Sequence, residues 1–126
     1  MDKIILLIKK LNSEGTLELP KSLNAINVDI PPKNFNCDIS TNVAMVLSKI
    51  NKRSPIDLAN VLVNLIKTID NNIETISVAK PGFINIKFKE IFWNDFIKNV
   101  NQNYKNFGVN LKEKKQKYLI EFVSAN

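Results

Sequence analysis

The chain has 126 residues but no histidine, a single cysteine (Cys37) and only three glycines. Without histidine, it can build neither imidazole acid–base catalysis nor a His-ligated metal site. One cysteine can form neither an internal disulfide nor a cysteine-based zinc site. Gly15, Gly82 and Gly108 are too far apart for a phosphate-binding loop. The chain alone is therefore a poor candidate for an enzyme, and we expect it to hold no metal and no cofactor.

Long hydrophobic runs are also absent. No stretch reaches the roughly 18 apolar residues that a membrane-spanning helix needs. The apolar run at residues 4–8 is short and no small-residue cleavage site follows it, so we expect a buried helix there rather than a signal peptide. These features predict no membrane contact and a cytoplasmic location, in agreement with the single Cys37. With 44% hydrophobic residues, the chain can form one domain with a real core.

The charge is strongly basic although arginine is scarce. The net charge is +6 and Arg53 is the only arginine. The excess of lysine lies after residue 30 and is densest over residues 112–117. Such a balance favours polyanionic partners and salt-dependent binding to phosphates. The alternative is that a composition rich in Lys, Asn and Ile reflects AT-rich coding, and the charge alone leaves both interpretations open.

Hydrophobic periodicity and helix-capping signals predict most of the secondary structure. We expect helices over residues 2–12, from Ser40 or Thr41 onward, from the cap Ser54 to Asp70, and over residues 90–104. We expect strands over residues 26–30, 73–79, 83–88 and 118–123. The order predicts an α+β fold of two layers, in which helices cover one face of a small, mainly antiparallel sheet.

Three polar segments are candidates for binding. The first is Asn36-Cys37-Asp38-Ile39-Ser40-Thr41-Asn42-Val43-Ala44, which is either a helix cap with an Asx-turn or a ligand-binding edge. The second is Lys80-Pro81-Gly82-Phe83-Ile84-Asn85, a turn that enters a strand, in which Asn85 is unusual because amides are depleted in strands. The third is Phe122-Val123-Ser124-Ala125-Asn126 at the end of the sequence.

In this order and spacing, the three segments resemble the motifs of arginyl-tRNA synthetases, and the resemblance runs from the first helix to Asn126. It implies that residues 1–116 form the N-terminal additional domain of that family, a two-layer α+β unit. It also implies that residues 117–126 are the first strand and opening motif of a catalytic domain. Three positions depart from the family pattern, because Asn36 replaces a frequent His, Cys37 a Gly, and Lys80 the first Gly of the turn.

The resemblance also implies a function. The full-length enzyme attaches arginine to tRNA(Arg) using ATP with Mg²⁺, whereas this fragment is not catalytic. In the family, the additional domain contacts the D-loop at the outer corner of the tRNA. The implied partners are therefore tRNA(Arg), arginine, ATP and the protein's own catalytic domain. The alternative is a free-standing, small basic α+β adaptor that binds RNA or protein.

The motifs assign roles to individual residues. The tRNA-binding residues that the resemblance implies are Lys33, Phe35, Asn36, Asp38, Asn42 and Lys80. Among these, Asn36 and Asp38 are expected to hydrogen-bond a base edge and Phe35 to stack on a base. Lys33 and Lys80 are expected to meet phosphates. Ser124 and Asn126 match positions that help bind arginine in the family.

Overall fold

The computed structural model describes residues 2–105 and 107–108. Within these residues the elements are α1 (Asp2–Ser13), β1 (Val28–Asp29), β2 (Ile39–Thr41), α2 (Val43–Ser48), α3 (Pro55–Ile69), β3 (Ile73–Ala79), β4 (Phe83–Phe88) and α4 (Glu90–Gln102). None of the helices in this part of the chain is both long enough and apolar enough to cross a membrane. The strand predicted at residues 118–123 lies outside the described residues.

The described strands form one sheet in the order β1-β2-β4-β3, and each neighbouring pair is antiparallel. Helices α1, α2 and α3 supply the other layer. The predicted α+β fold with a small antiparallel sheet is therefore confirmed. The predicted β3 and β4 are also confirmed, and the turn at residues 80–82 joins them as expected.

One face of the sheet packs on the helices. Ile84 of β4 has no exposed surface, and Ile86 is only 3% exposed. From the helices, Ile8, Leu47, Leu58 and Leu62 are fully buried against this cluster. Each such side chain stabilises the fold by about 1.5 to 3 kcal/mol relative to an exposed one. The core therefore fixes which face of the sheet remains available for binding.

Helix α3 begins as its sequence predicts. Ser54 is extended and its Oγ accepts a hydrogen bond of 3.1 Å from the backbone N–H of Asp57. Pro55 occupies the first helical position, where its missing N–H costs no hydrogen bond. The cap thus satisfies a backbone donor that the helix leaves free.

Helix α1 is tied to the end of α3 by an ion pair. Lys3 Nζ lies 2.8 Å from Asp70 Oδ2. Partial burial alone would raise the pKa of Asp70, but hydrogen bonds from Lys3 and from the Asn72 backbone outweigh it and lower the pKa. The carboxylate form of Asp70 is therefore favoured in the folded protein.

The predicted helix start at Ser40 or Thr41 is wrong. Residues Ile39–Thr41 form strand β2, and α2 starts at Val43 after Asn42, whose side chain makes no capping hydrogen bond. Strand β2 pairs with β4, where Ile39 lies opposite Ile86. Three residues are too few for their alternation to be visible in the sequence, so the pairing with a distant strand decided the structure.

The predicted strand at residues 26–30 is shorter than expected. Only Val28–Asp29 pair as β1, and Ile30 is 88% exposed instead of facing inward. Pro31 explains the early end, because proline has no N–H for the ladder and restricts the residue before it.

The last predicted helix exists as α4, but none of its residues is buried.

Candidate nucleic-acid interface

A row of polar side chains crosses the sheet on the face opposite the core. Asp29 of β1 pairs with Ser40 of β2, and Ser40 pairs with Asn85 of β4. Ser77 of β3 completes the row next to Asn85. Directly paired residues share a face of the sheet. Because Ile84 faces the core, its neighbour Asn85 and the rest of this row face the other way.

The centre of this row is a fixed amide. Ser40 Oγ donates a hydrogen bond of 2.7 Å to Asn85 Oδ1, and Asn85 is only 8% exposed. Within the described part of the chain, Asn85 Nδ2 donates no hydrogen bond. The oxygen of the amide is therefore engaged, while its nitrogen remains a donor for a ligand.

A groove of about 270 Å³ lies over Ser40 and Asn85. Phe35 and Phe83 supply its aromatic walls, and Lys80 stands at its rim. The remaining lining residues are Asp29, Ile30, Pro31, Pro32 and Ala79. This volume is at the small end of ligand sites in proteins and suits one planar ring with its substituents. The groove thus combines the apolar side chains of Phe35 and Phe83 with the polar side chains of Ser40 and Asn85, a combination that fits a heteroaromatic base.

The wall that carries Phe35 is a turn that begins at Pro32, the second of two consecutive prolines. The backbone N–H of Phe35 donates to the carbonyl of Pro32 at 3.0 Å, which closes a four-residue turn. Pro31 and Pro32 both line the groove and have fixed φ angles. Phe35 is 45% exposed, so one part of its ring is available to a partner.

The rim at Lys80 is positioned by the helical layer. Gly82, in the same turn, is buried and has φ of +152°. A Cβ placed on Gly82 would lie 2.6 Å from Pro55 Cβ at the start of α3. Only glycine permits this close approach. The contact fixes the β3–β4 turn, and with it the backbone of Lys80, against α3.

Of the predicted tRNA-binding residues, Phe35 and Lys80 come together in the groove. Lys33 and Asn36 lie on the same loop and are exposed, but neither lines the groove. Ser124 and Asn126, predicted for arginine, lie outside the described residues. Their roles remain predictions.

Asp38 and Asn42 are bound to the fold itself. Asp38 Oδ2 accepts from the Phe88 backbone N–H at 2.7 Å, at the end of β4 away from the groove. Asn42 Oδ1 accepts from the Asn27 N–H at 2.8 Å, and its Nδ2 donates to the Ala25 carbonyl at 3.0 Å. Both side chains therefore have a structural role, whatever they also contact.

The Cys37 thiol, which directly precedes Asp38, is not activated by its surroundings. Partial burial, followed by the carboxylate of Asp38, raises the pKa of Cys37 above its ordinary value. At neutral pH Cys37 is therefore a neutral thiol, and it does not line the groove.

Most groove residues were not among the predicted site residues, and these include the polar pair Ser40 and Asn85 and the aromatic Phe83. The amide in a strand was the one available signal, because Asn85 contradicts strand preference. Ser40 gave no such signal, since its strand was predicted as a helix start. The pairing of β2 with β4 is what makes Ser40 a neighbour of Asn85.

Comparison with known proteins identifies relatives of this sequence. Residues 3–88 match the family described as the arginyl tRNA synthetase N terminal domain. An arginine–tRNA ligase from Pelagibacter ubique is 75% identical over all 126 residues, which are 22% of that protein. Arginine–tRNA ligases from Staphylococcus carnosus and Bartonella henselae are 40% and 39% identical over 86% and 82% of the chain, or 20% and 18% of those proteins. The chain thus spans about a fifth of the length of these curated relatives.

Proposed function

The chain belongs to the family of arginyl-tRNA synthetase N-terminal domains, and we therefore propose that it is the tRNA-recognition domain of a longer arginine–tRNA ligase. The identity of 75% to such a ligase along the whole chain supports the proposal. In this proposal, the longer protein works in the cytoplasm and joins arginine to tRNA(Arg) with ATP and Mg²⁺. The present residues take part by holding the tRNA and perform no chemistry.

The groove over Asn85 is the observation that carries the tRNA role. One unpaired base from the D-loop at the outer corner of tRNA(Arg) enters it, between Phe35 and Phe83. Stacking of a base on an aromatic ring is worth about 1 to 3 kcal/mol. Asn85 Nδ2 donates to an acceptor on the edge of the base, because no described residue accepts a hydrogen bond from it while Ser40 holds the amide in place through the oxygen. Unstacked loop bases are the usual targets of sequence-specific RNA recognition.

Charge orients the nucleotide in this proposal. Lys80 and Asp29 both line the groove, and both are exposed. A phosphate is attracted to Lys80 and repelled by Asp29, so the backbone of the RNA passes on the Lys80 side. Lys33 and Asn36, exposed on the Phe35 loop, are placed to contact neighbouring nucleotides. The binding is weakened by salt, as for any contact with phosphates.

Chemistry with ATP belongs to other parts of the ligase. In the range that the structure describes, no group of three His, Cys, Asp or Glu side chains is suited to a metal ion. The glycines in this range are isolated, so they cannot form a loop around phosphates. The described residues therefore do not fit a site for ATP or Mg²⁺. Ser124 and Asn126 remain the proposed arginine contacts of the longer protein.

A titration of the ¹⁵N-labelled chain with tRNA(Arg) transcript tests the tRNA role. We expect saturable shifts at the Asn85 side-chain amide and at the backbone N–H groups of Phe35 and Lys80. The N–H of Lys67, on the exposed side of α3, is the internal control and should not move. Transcripts with single substitutions in the D-loop should bind more weakly. Shifts confined to α1 and α3, or equal affinity for all D-loop variants, would contradict the proposal.

Two further observations test the ligase assignment. The coding sequence downstream of codon 126 should continue into a His-x-Gly-His motif, whereas a stop codon there would favour the free-standing adaptor. The 126-residue chain should show no arginine-dependent exchange of pyrophosphate into ATP. Measurable exchange would overturn its non-catalytic role.

A further inference from the structure

Helix α4 presents aromatic side chains to solvent. Trp93 is 37% exposed, Phe96 43% and, just after the helix, Phe107 55%. Ile97 on the same side of the helix is 55% exposed. We refer to Trp93, Phe96, Ile97 and Phe107 as the α4 strip. A helix with an apolar stripe usually buries it, and large exposed apolar patches mark interaction sites.

The rings of the α4 strip hold one another in place. Phe92 stacks on Phe88 of the sheet with ring centres 4.4 Å apart. Trp93 meets Phe96 edge to face at 6.1 Å, and Phe96 meets Phe107 at 5.8 Å. Ring pairs of this kind contribute about 0.5 to 1.5 kcal/mol beyond their buried area. The strip is therefore a pre-ordered surface that loses little side-chain entropy when a partner covers it.

The charge of α4 favours a protein partner over a nucleic acid. The helix carries two carboxylates, Glu90 and Asp95, against Lys98, and with the flanking Lys89 and Lys105 the charges of this stretch nearly cancel. Lys98 lies 4.0 Å from Asp95, which already offsets its charge. Nucleic acid binding needs cations that replace counterions at phosphates. An apolar protein surface matches the α4 strip better.

We propose that the α4 strip is the surface that docks onto the remainder of the arginine–tRNA ligase. The family match ends at residue 88, just before α4 begins, yet the identity to the Pelagibacter ubique ligase continues through residue 126. Helix α4 therefore follows the recognisable domain and still belongs to sequence shared with the whole enzyme. The matched region is only 22% of that enzyme, so most of it remains to supply the covering surface.

This inference rests on the proposed ligase function. Within one polypeptide the partner has a high effective concentration, so a small apolar contact is sufficient. The strip and the groove lie on different elements, α4 against β2, β4 and the Phe35 loop. The strip therefore shares no residue with the groove.

Photo-crosslinking in a full-length ligase tests the docking surface. The 126-residue chain would replace the matching region of the Pelagibacter ubique ligase, with the substitution Phe96→p-benzoylphenylalanine. Mass spectrometry should find the crosslinked peptide in the ligase outside these 126 residues. The same photo-amino acid at Leu6, which is 66% exposed on α1, is the matched control and should give at least tenfold less of that product. If the Phe96 variant does not fold, the substitution Ile97→p-benzoylphenylalanine serves instead.

Four results would overturn the inference. They are a crosslink to residues 109–126, a crosslink to tRNA, a crosslink to a second copy of the protein, and the absence of any crosslink. The tRNA proposal can fail independently of the docking surface. If only the tRNA proposal is wrong, a ligase with Asn85→Ala would bind tRNA(Arg) as tightly as the parent ligase, and the crosslink at position 96 would still form.

Discussion

Ser40 and Asn85 form a hydrogen bond of 2.7 Å across strands β2 and β4, on the face of the sheet away from the core. The bond fixes the amide of Asn85 with its oxygen engaged. One lone pair of that oxygen is taken by Ser40, and no hydrogen bond from Asn85 Nδ2 is formed within the described residues, so a ligand above the sheet meets an N–H donor here. In the proposed function, this donor pairs with an acceptor on the edge of a base.

Substitutions of Asn85 should weaken tRNA binding in a graded manner. Asn85→Ala removes one hydrogen bond of about 1 kcal/mol, so the affinity of the chain for tRNA(Arg) should fall about fivefold. Asn85→Asp should cost more, because a carboxylate offers no donor and repels phosphate. Filter binding at fixed salt measures both. Ser77→Ala, in the same row on β3, is the control and should bind normally, whereas equal affinity for all three variants would remove Asn85 from the site.

Asp38 and Asn36 should separate into a structural and a binding residue. Asp38→Ala leaves the Phe88 N–H without its acceptor and should lower the free energy of unfolding by about 1 to 2 kcal/mol. Asn36→Ala, at an exposed position, should change it by less than about 0.5 kcal/mol. Urea unfolding followed by Trp93 fluorescence provides the measurement. A tRNA defect in Asn36→Ala with normal stability would identify a binding role, and a stable Asp38→Ala protein would contradict the structural role.

Gly82→Ala should be far more harmful than Gly15→Ala. At Gly82, a methyl group would meet Pro55 Cβ at 2.6 Å on a backbone with φ of +152°. The combined overlap and strain should cost about 2 to 4 kcal/mol. At Gly15, φ is +71° but nothing lies within 4 Å, so only the backbone penalty of about 1 kcal/mol remains. Similar unfolding midpoints for the two variants would show that the Gly82–Pro55 contact is not tight.

Stability should depend on the ionisation of Asp70. The folded state lowers the pKa of Asp70, so its contribution is present above the unfolded pKa of about 3.9 and is lost as the pH falls through the folded value. At pH 7, Asp70→Asn should lower the free energy of unfolding by about 0.5 kcal/mol, because the Lys3 side chain is 60% exposed although that of Asp70 is only 14% exposed. Below the folded pKa, variant and parent should coincide. Asp95→Asn, whose pairing distance is 4.0 Å, should differ by no more than about 0.3 kcal/mol at pH 7.

Local signals in the sequence were sufficient for the parts of the fold that local chemistry decides. The Ser54 cap with Pro55 predicted the start of α3, and the Pro81-Gly82 turn between two apolar runs predicted the β3–β4 hairpin. Strand β2 was missed because its three residues are a strand only through pairing with β4, which is more than 40 residues away in sequence. Tertiary pairing overrides weak local preference in such short segments.

The groove over Asn85 shows the same division between what local signals predict and what distant pairing decides. Phe35 and Lys80 were predicted from motifs, and both line it. The polar part of the groove was missed because it depends on which strand lies beside which. The bonds that engage Asp38 and Asn42 also join residues distant in sequence, 50 positions apart for Asp38 and Phe88. The residue type shows which groups can donate or accept a hydrogen bond. Only the fold determines which partner each group bonds to.

The segment that carries Phe35 connects β1 and β2, which pair directly with each other. Both of its ends are therefore anchored in the sheet, and its own residues contribute little to the core. Insertions or exchanges in this loop can alter one wall of the groove while Ser40 and Asn85 keep their places in the ladder. Evolution or design can thus change the shape of the groove, and with it the ligand that the groove would accept, through substitutions in a surface loop that leave the sheet intact.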